Sequence, residues 1–402
     1  MRRRRCYRGC RRVEKIVGKY NFDDVPDRRG TDSMKWNVGP TELPMWVADM
    51  DFQTAPEIRD AFADRIAHGV FGYSEVPDEW YDAYAGWWTR RHGLTMDKEA
   101  LIFCTGVVPA ISSIVRKLTT PNEKVIIQTP VYNIFFNSIV NNGCRPLESP
   151  LLYENGEYSM DLTDLEEKMS DPQASLMILC NPHNPVGKIW DRDTLAKVGE
   201  LARKYHVTVI SDEIHCDIVR PGMGYVPFAS VSDACREVSV SCIAPTKCFN
   251  IAGLQTAAVY VPDRFLRHKV WRGLNTDEVA EPNSFATLAA ITAFNEGGEW
   301  LDELREYLFA NVDFAREYIN SEIPGLKAVK SDATYLLWID VSGTGFGGDE
   351  VQARIRKETG LYVNEGSEYG HAGDNFLRMN LACPRKTVEE GLKRLKEGIK
   401  NL

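Results

Sequence analysis

The chain has 402 residues, of which 44% are apolar and 26% charged, so it is long enough for two or three domains and too apolar to be disordered. Residues 1–18 hold eight basic residues and one acid, a local charge of +7. The net charge of −9 therefore leaves about −16 on the other 384 residues, an acidic body that argues against nucleic-acid binding. The longest uncharged run, Val125 to Cys144, contains Gln128, Pro130 and four Asn and is no membrane span.

In chain order, residues 1–18 (MRRRRCYRGCRRVEKIVG) read as a disordered basic extension, and folded sequence begins near Lys19 to Phe22. No apolar stretch follows the basic start, so it is not a secretory signal. Ten Cys lie scattered without a C-x-x-C pair, the pattern of reduced thiols in a cytoplasmic protein. Cys6 and Cys10 lack a second ligand pair nearby, and no metal site is expected.

The centre alternates strand and helix signals. Leu101–Cys104, Val125–Gln128, Ser175–Cys180, Val207–Ser211, Val238–Ile243 and Thr256–Val261 read as strands. Helical spacing fills Gly106–Leu118 and Leu195–His206, and a further amphipathic segment starts at Pro130. The alternation predicts an α/β fold with a mostly parallel central sheet sandwiched by helices. Beyond residue 284 the texture changes to long helical patterns, Ser284–Glu296 and Glu299–Ser321. The strand Tyr335–Val341, a helix at Gly348–Gly360, the strand Phe376–Leu381 and a helix at Thr387–Leu402 complete a smaller α+β unit. The expected organisation is an arm at 19–54 contributing to the small domain, a large domain at 55–284 and a small domain at 285–402.

Four loops sit where the predicted strands end, the place where open α/β sheets bind ligands. Thr105-Gly106-Val107-Val108-Pro109 leads a strand into a helix and offers backbone N–H groups to an anion. Asn181-Pro182-His183-Asn184-Pro185-Val186-Gly187 presents amides at a sheet edge. Ser211-Asp212-Glu213-Ile214-His215 supplies a carboxylate, and Pro245-Thr246-Lys247 a lysine. Asn184 and Asp212 are 28 residues apart, and Asp212 and Lys247 are 35 apart. Each interval is about one strand–helix–strand unit of roughly 30 residues, so the three side chains converge on one crevice. A glycine loop, a carboxylate and a lysine in one cleft suit a phosphorylated pyridine aldehyde, with the lysine forming a Schiff base.

On these motifs the sequence resembles the fold-type I pyridoxal-phosphate enzymes of the class I/II aminotransferase superfamily. It is most similar to the cystathionine β-lyase-like branch (MalY/PatB type). The branch likeness rests on the segment Leu43 to Phe52 (LPMWVADMDF), on Phe71-Gly72-Tyr73-Ser74 and on the Gly106 loop. The superfamily likeness rests on the Asn184 and Asp212 motifs, on Lys247 with Asn250 to Gln255, and on Phe376 to Asn380 (FLRMN).

The resemblance implies a role for each matching residue. Lys247 would anchor the cofactor and transfer protons, and Asp212 would pair with the ring nitrogen. Asn184 and His215 would contact the ring's phenolic oxygen, and Tyr132 would lie on the ring face. Gly106, Val107, Val108 and Thr246 would hold the phosphate. Val47 and Ala48 would line the substrate, and Arg378 would grip its carboxylate. Tyr73 would reach the phosphate of a second subunit, implying a homodimer with shared sites. Gln255 stands where many relatives place a phosphate-binding arginine. The implied reaction is β-elimination from a small sulfur-containing amino acid such as cystathionine, giving thiol, pyruvate and ammonia. A class I/II aminotransferase and a regulatory protein binding a transcription factor are the alternatives.

Overall fold

The computed structural model describes residues 18–400, so the expected basic extension, with Cys6 and Cys10, lies outside the described residues except for Gly18. The central sheet has seven strands: β1 (Leu101–Cys104), β2 (Lys124–Ile127), β3 (Arg145–Glu148), β4 (Ala174–Cys180), β5 (Thr208–Asp212), β6 (Ser239–Ile243) and β7 (Ala257–Tyr260). Their spatial order is β1-β7-β6-β5-β4-β2-β3. The pairs β2/β3, β2/β4, β4/β5 and β5/β6 are parallel, and β7 runs antiparallel to both neighbours. The sheet is mostly parallel, as expected.

Strands β1, β2, β4 and β7 read as largely apolar runs because both their faces are covered. Successive residues point to opposite sides. Leu101 and Phe103 join a core with Trp80, Tyr84, Trp87 and Phe294, whereas Ile102 and Cys104 join another with Ile111, Ile114 and Val270. In the next strand Val125 and Ile127 face that second core, and Ile126 faces a third with Leu179 and Val198.

A second sheet holds β8 (Lys327–Ala328), β9 (Leu336–Asp340), β10 (Asn364–Glu365) and β11 (Phe376–Asn380), all antiparallel in the order β8-β9-β11-β10. Near the N-terminus, Leu43–Pro44 pairs with Leu361–Tyr362. The 25-residue helix Gly298–Glu322 packs Phe309, Val312, Ala315 and Ile319 on the core of this sheet, and Trp300, Leu301, Leu304 and Leu308 on the core that holds Trp80 and Phe103.

Several elements differ from the sequence expectation. Helices Pro56–His68, Asp78–His92 and Arg264–Thr276 and strand β3 were not anticipated. After Pro130 the chain is irregular until a short helix, Ile134–Val140. Among the described residues, no helix is long and apolar enough to cross a membrane.

Candidate active site

The register of the parallel strands sets Cys180, Asp212 and Cys242 abreast at the carboxyl ends of β4, β5 and β6. The loops leaving those ends carry Asn184, His215 and Lys247, so the three motifs converge by sheet geometry alone. With the Gly106 loop they line a cavity of about 290 Å³ whose wall includes Ala48, Tyr132, Thr246 and Gln255.

One end of the cavity is the start of the helix Val107–Leu118. Its cap is Gly106, whose side is closed by Pro109 (a Cβ there would lie 3.1 Å from Pro109 Cδ). The N–H groups of Val107 and Val108 belong to the first turn and have no acceptor within the helix. They point the positive end of the helix dipole at the cavity and so offer an anion cradle. Gln255 lines the same cavity in a left-handed conformation, φ +53°.

Asp212 is 5% exposed, and its Oδ1 accepts the Ile214 N–H at 3.1 Å. Burial pushes its carboxyl up to about 7. Lys247 Nζ donates to the Ala48 carbonyl at 2.7 Å. Burial, reinforced by the charge of Arg378, brings the lysine down to about 8, against the opposing pull of Asp49 and Asp212. His215 is buried and brought down to about 3, first by burial and then by the Lys247 and Arg378 charges, so its ring is neutral. Among the described residues its Nδ1 has no partner, a buried polar atom left for a ligand. Tyr132 is positioned indirectly: the ring of buried His183 bonds the Pro130 carbonyl at 2.8 Å, tying the Asn184 loop to the Tyr132 segment.

Arg378 rises from β11 and is 4% exposed. Its Nη2 donates to the Trp46 carbonyl at 2.8 Å and to Asn364 Oδ1 at 2.9 Å, and its Nη1 to Asn184 Oδ1 at 3.3 Å. Its Cζ lies 4.9 Å from the centroid of the Tyr369 ring, and its buried Nε has no partner among the described residues.

The structure therefore brings Gly106, Val107, Val108, Tyr132, Asn184, Asp212, His215, Thr246, Lys247 and Ala48 around one cavity, with Arg378 bonded to Asn184 at its edge. Val47 is not in the lining; its carbonyl accepts a bond from Asn380. Tyr73 is fully exposed and lies outside the cavity of its own chain. Sequence reasoning did not single out Tyr335, Asn364 or Asn380, which hold the backbone and Arg378 in place. In the sequence Asn380 and Asn250 stand only as members of the FLRMN segment and of the segment Asn250 to Gln255.

The donor set fits a pyridoxal phosphate: an anion cradle, an acid and a lysine in one buried space, an aromatic wall and two orphaned ring or guanidinium nitrogens. Comparison with known proteins points the same way. The model for "aminotransferase class I and II" matches residues 43–395. The cystathionine β-lyase PatB of Bacillus subtilis is 43% identical over 94% of this chain and all of its own. A pyridoxal-phosphate-bound candidate aminotransferase of Clostridium difficile 630 is 40% identical, with a TM-score of 0.92 over 94% of this chain and all of that one. The pyridoxal-phosphate-bound C–S lyase of Staphylococcus hominis is 30% identical, with a TM-score of 0.88 over 95% of this chain and 99% of that one.

Proposed function

We propose that this chain, which belongs to the aminotransferase class I and II family, is a pyridoxal-phosphate-dependent C–S β-lyase acting on a cysteine conjugate such as cystathionine. The observation that supports it most is the placement of partly buried Lys247 and buried Asp212 in the wall of one cavity that also takes in a helix N-terminus. The 43% identity to a cystathionine β-lyase favours elimination over transamination.

The bound cofactor supplies an electron sink for the charge left when the substrate loses its Cα proton. The chain's residues do the rest. Val107 and Val108 N–H groups with Thr246 would hold its phosphate, Asp212 would keep the proton on its ring nitrogen, Tyr132 would lie against its ring, and Asn184 and neutral His215 would hydrogen-bond its phenolic oxygen. Arg378 takes the substrate carboxylate through its forked donors, which fixes the Cα–H bond toward Lys247. Lys247, with a pKa of about 8, exists partly as free amine near neutrality and is suited to accept that proton. Ala48 would bound the substrate side.

Gln255 leaves the phosphate short of a cation, and fully exposed Tyr73 has no role in its own chain's site. Both features support a homodimer in which Tyr73 reaches the phosphate of a second copy. The eight described cysteines are all buried and unpaired, which supports a reducing, cytoplasmic setting.

The test is to incubate purified protein with cystathionine, cystine and S-alkyl cysteines and to assay pyruvate and thiol without added keto acid. The protein is expected to be yellow, and borohydride to fix the chromophore on Lys247. Turnover that requires a keto acid acceptor makes the protein an aminotransferase, and no chromophore on Lys247 refutes the site.

A further inference from the structure

The segment Trp46 to Phe52 forms a strap between the two sheets, and its carbonyls are held by site residues. Arg378 takes Trp46, Asn380 Nδ2 takes Val47 and, at 2.6 Å, Asp49. Lys247 Nζ at 2.7 Å and the Tyr335 hydroxyl at 3.0 Å both donate to Ala48. Asn250 Nδ2 donates to Met50 and Phe52 at 3.0 and 2.8 Å, and its Oδ1 accepts the Met50 N–H.

The side chains of the same strap face a four-charge cluster. Lys35 Nζ lies 3.0 Å from Asp51 Oδ2 and 3.8 Å from Asp49 Oδ1. Arg28 reaches Asp51 Oδ1 at 2.9 Å and Asp49 Oδ2 at 2.6 Å, and the Trp36 indole adds a bond to Asp51. Lys35 is 1% exposed and Asp51 4%. Two cations against two carboxylates make the cluster neutral, which is the condition for burying such groups at all. Buried ion pairs add little net stability over apolar packing; what they supply is one defined geometry.

That geometry matters most to Lys247. Arg378 has three acceptors and keeps two of them if Trp46 moves, whereas the Ala48 carbonyl is the one hydrogen-bond partner found for Lys247 Nζ among the described residues. We propose that Lys35, with Arg28, is a positioning residue for Lys247: the ion-pair latch fixes the strap so that the Ala48 carbonyl holds the free amine in one orientation. An amine that donates one N–H to Ala48 has its lone pair directed away from that carbonyl. The inference rests on the reading of Lys247 as the proton-transfer base.

Two measurements test it, on Lys35→Met and on the conservative Lys35→Arg. In cofactor-stripped protein, acetylation of Lys247 by acetic anhydride is followed by peptide mass spectrometry, with exposed Lys197 as the internal reference. Lys35→Met is expected to raise the Lys247 rate fivefold or more, and Lys35→Arg to return it toward wild type. In loaded enzyme, Lys35→Met is expected to lower kcat tenfold or more, with KM within threefold and a larger isotope effect from α-deuterated substrate. A folded Lys35→Met that keeps the wild-type labelling rate and kcat overturns the proposal, as does one in which KM rises while kcat holds. If Lys35→Met fails to fold, Arg28→Gln at the more exposed end of the latch is read by the same criteria. Wild-type protein that binds the cofactor but eliminates no thiol refutes the lyase reading instead, and the labelling comparison then still judges the latch.

Discussion

Replacing Asp212 with Asn should make the cofactor-free protein more stable and the loaded enzyme nearly inactive. Asp212 lies between Cys180 and Cys242 in the sheet, and among the described residues its carboxylate accepts one hydrogen bond, from the backbone N–H of Ile214. Burial raises its pKa from 3.8 to about 7. Below pH 4 the group is protonated both folded and unfolded, and its burial costs nothing in charge. As pH rises from 4 to 7 the unfolded chain ionises first, so stability is lost across that window and the loss is complete above 7. Three pKa units at 1.36 kcal/mol each give about 4 kcal/mol. Asn is neutral at every pH, has nearly the same shape and can still accept the Ile214 N–H. Urea denaturation of cofactor-stripped protein, at one protein concentration, should show the variant more stable by about 2–4 kcal/mol at pH 8, with the gap narrowing to about 1 kcal/mol or less at pH 4.5. In loaded enzyme the amide cannot balance a protonated ring nitrogen, and kcat should fall about a hundredfold or more. A gap that is absent at pH 8, or unchanged between pH 8 and 4.5, refutes the argument.

Arg378→Lys should lower kcat/KM about a hundredfold while cofactor absorbance is retained, because an ammonium cannot replace a forked contact worth roughly 3 kcal/mol with a carboxylate. A substrate analogue lacking the carboxylate should show little of that loss. Gly187→Ala should cost about 2 kcal/mol in urea denaturation: φ is +68°, and the added Cβ would lie 2.5 Å from Ser331 Oγ and 3.0 Å from the Ala333 carbonyl. Mixing Tyr73→Phe with Lys247→Ala under subunit exchange should give activity above either parent, since one site of each heterodimer then carries neither lesion. No gain despite demonstrated exchange removes the shared site.

The sequence made the sheet legible where burial is two-sided. Leu176–Cys180 and Ala257–Tyr260 are covered on both faces, so no polar residue was needed to face water and the apolar runs stood out. Strand β3 was missed for the opposite reason. It pairs on one side only, and its residues Arg145–Glu148 are exposed or partly so, with a proline among them. The helix Asp78–His92 buries Trp80, Tyr84, Trp87 and Trp88, but acids and arginines interrupt these aromatics and blur the period. The helix Arg264–Thr276 buries only Val270, Gly273 and Leu274, too narrow a stripe to read.

At the site the division is one of chemistry. Asp212, Lys247 and Asn184 were legible because their side chains act, and because strand–helix–strand spacing fixes where side chains emerge from a parallel sheet. The strap was not, because what it contributes is backbone. Carbonyls of Trp46, Val47, Ala48, Asp49, Met50 and Phe52 receive the bonds, and every residue type has the same carbonyl. Only the groups that hold the strap differ from what a surface segment requires, and each is ambiguous alone: Asn250 and Asn380 pass as motif filler, and Lys35 passes as a solvated lysine until its 1% exposure is known. A lysine that deeply buried, opposite two carboxylates and one strap away from the reacting amine, is the kind of residue whose substitution separates a role in positioning from a role in folding. That is why the isotope effect and the labelling rate, rather than activity alone, decide what it does.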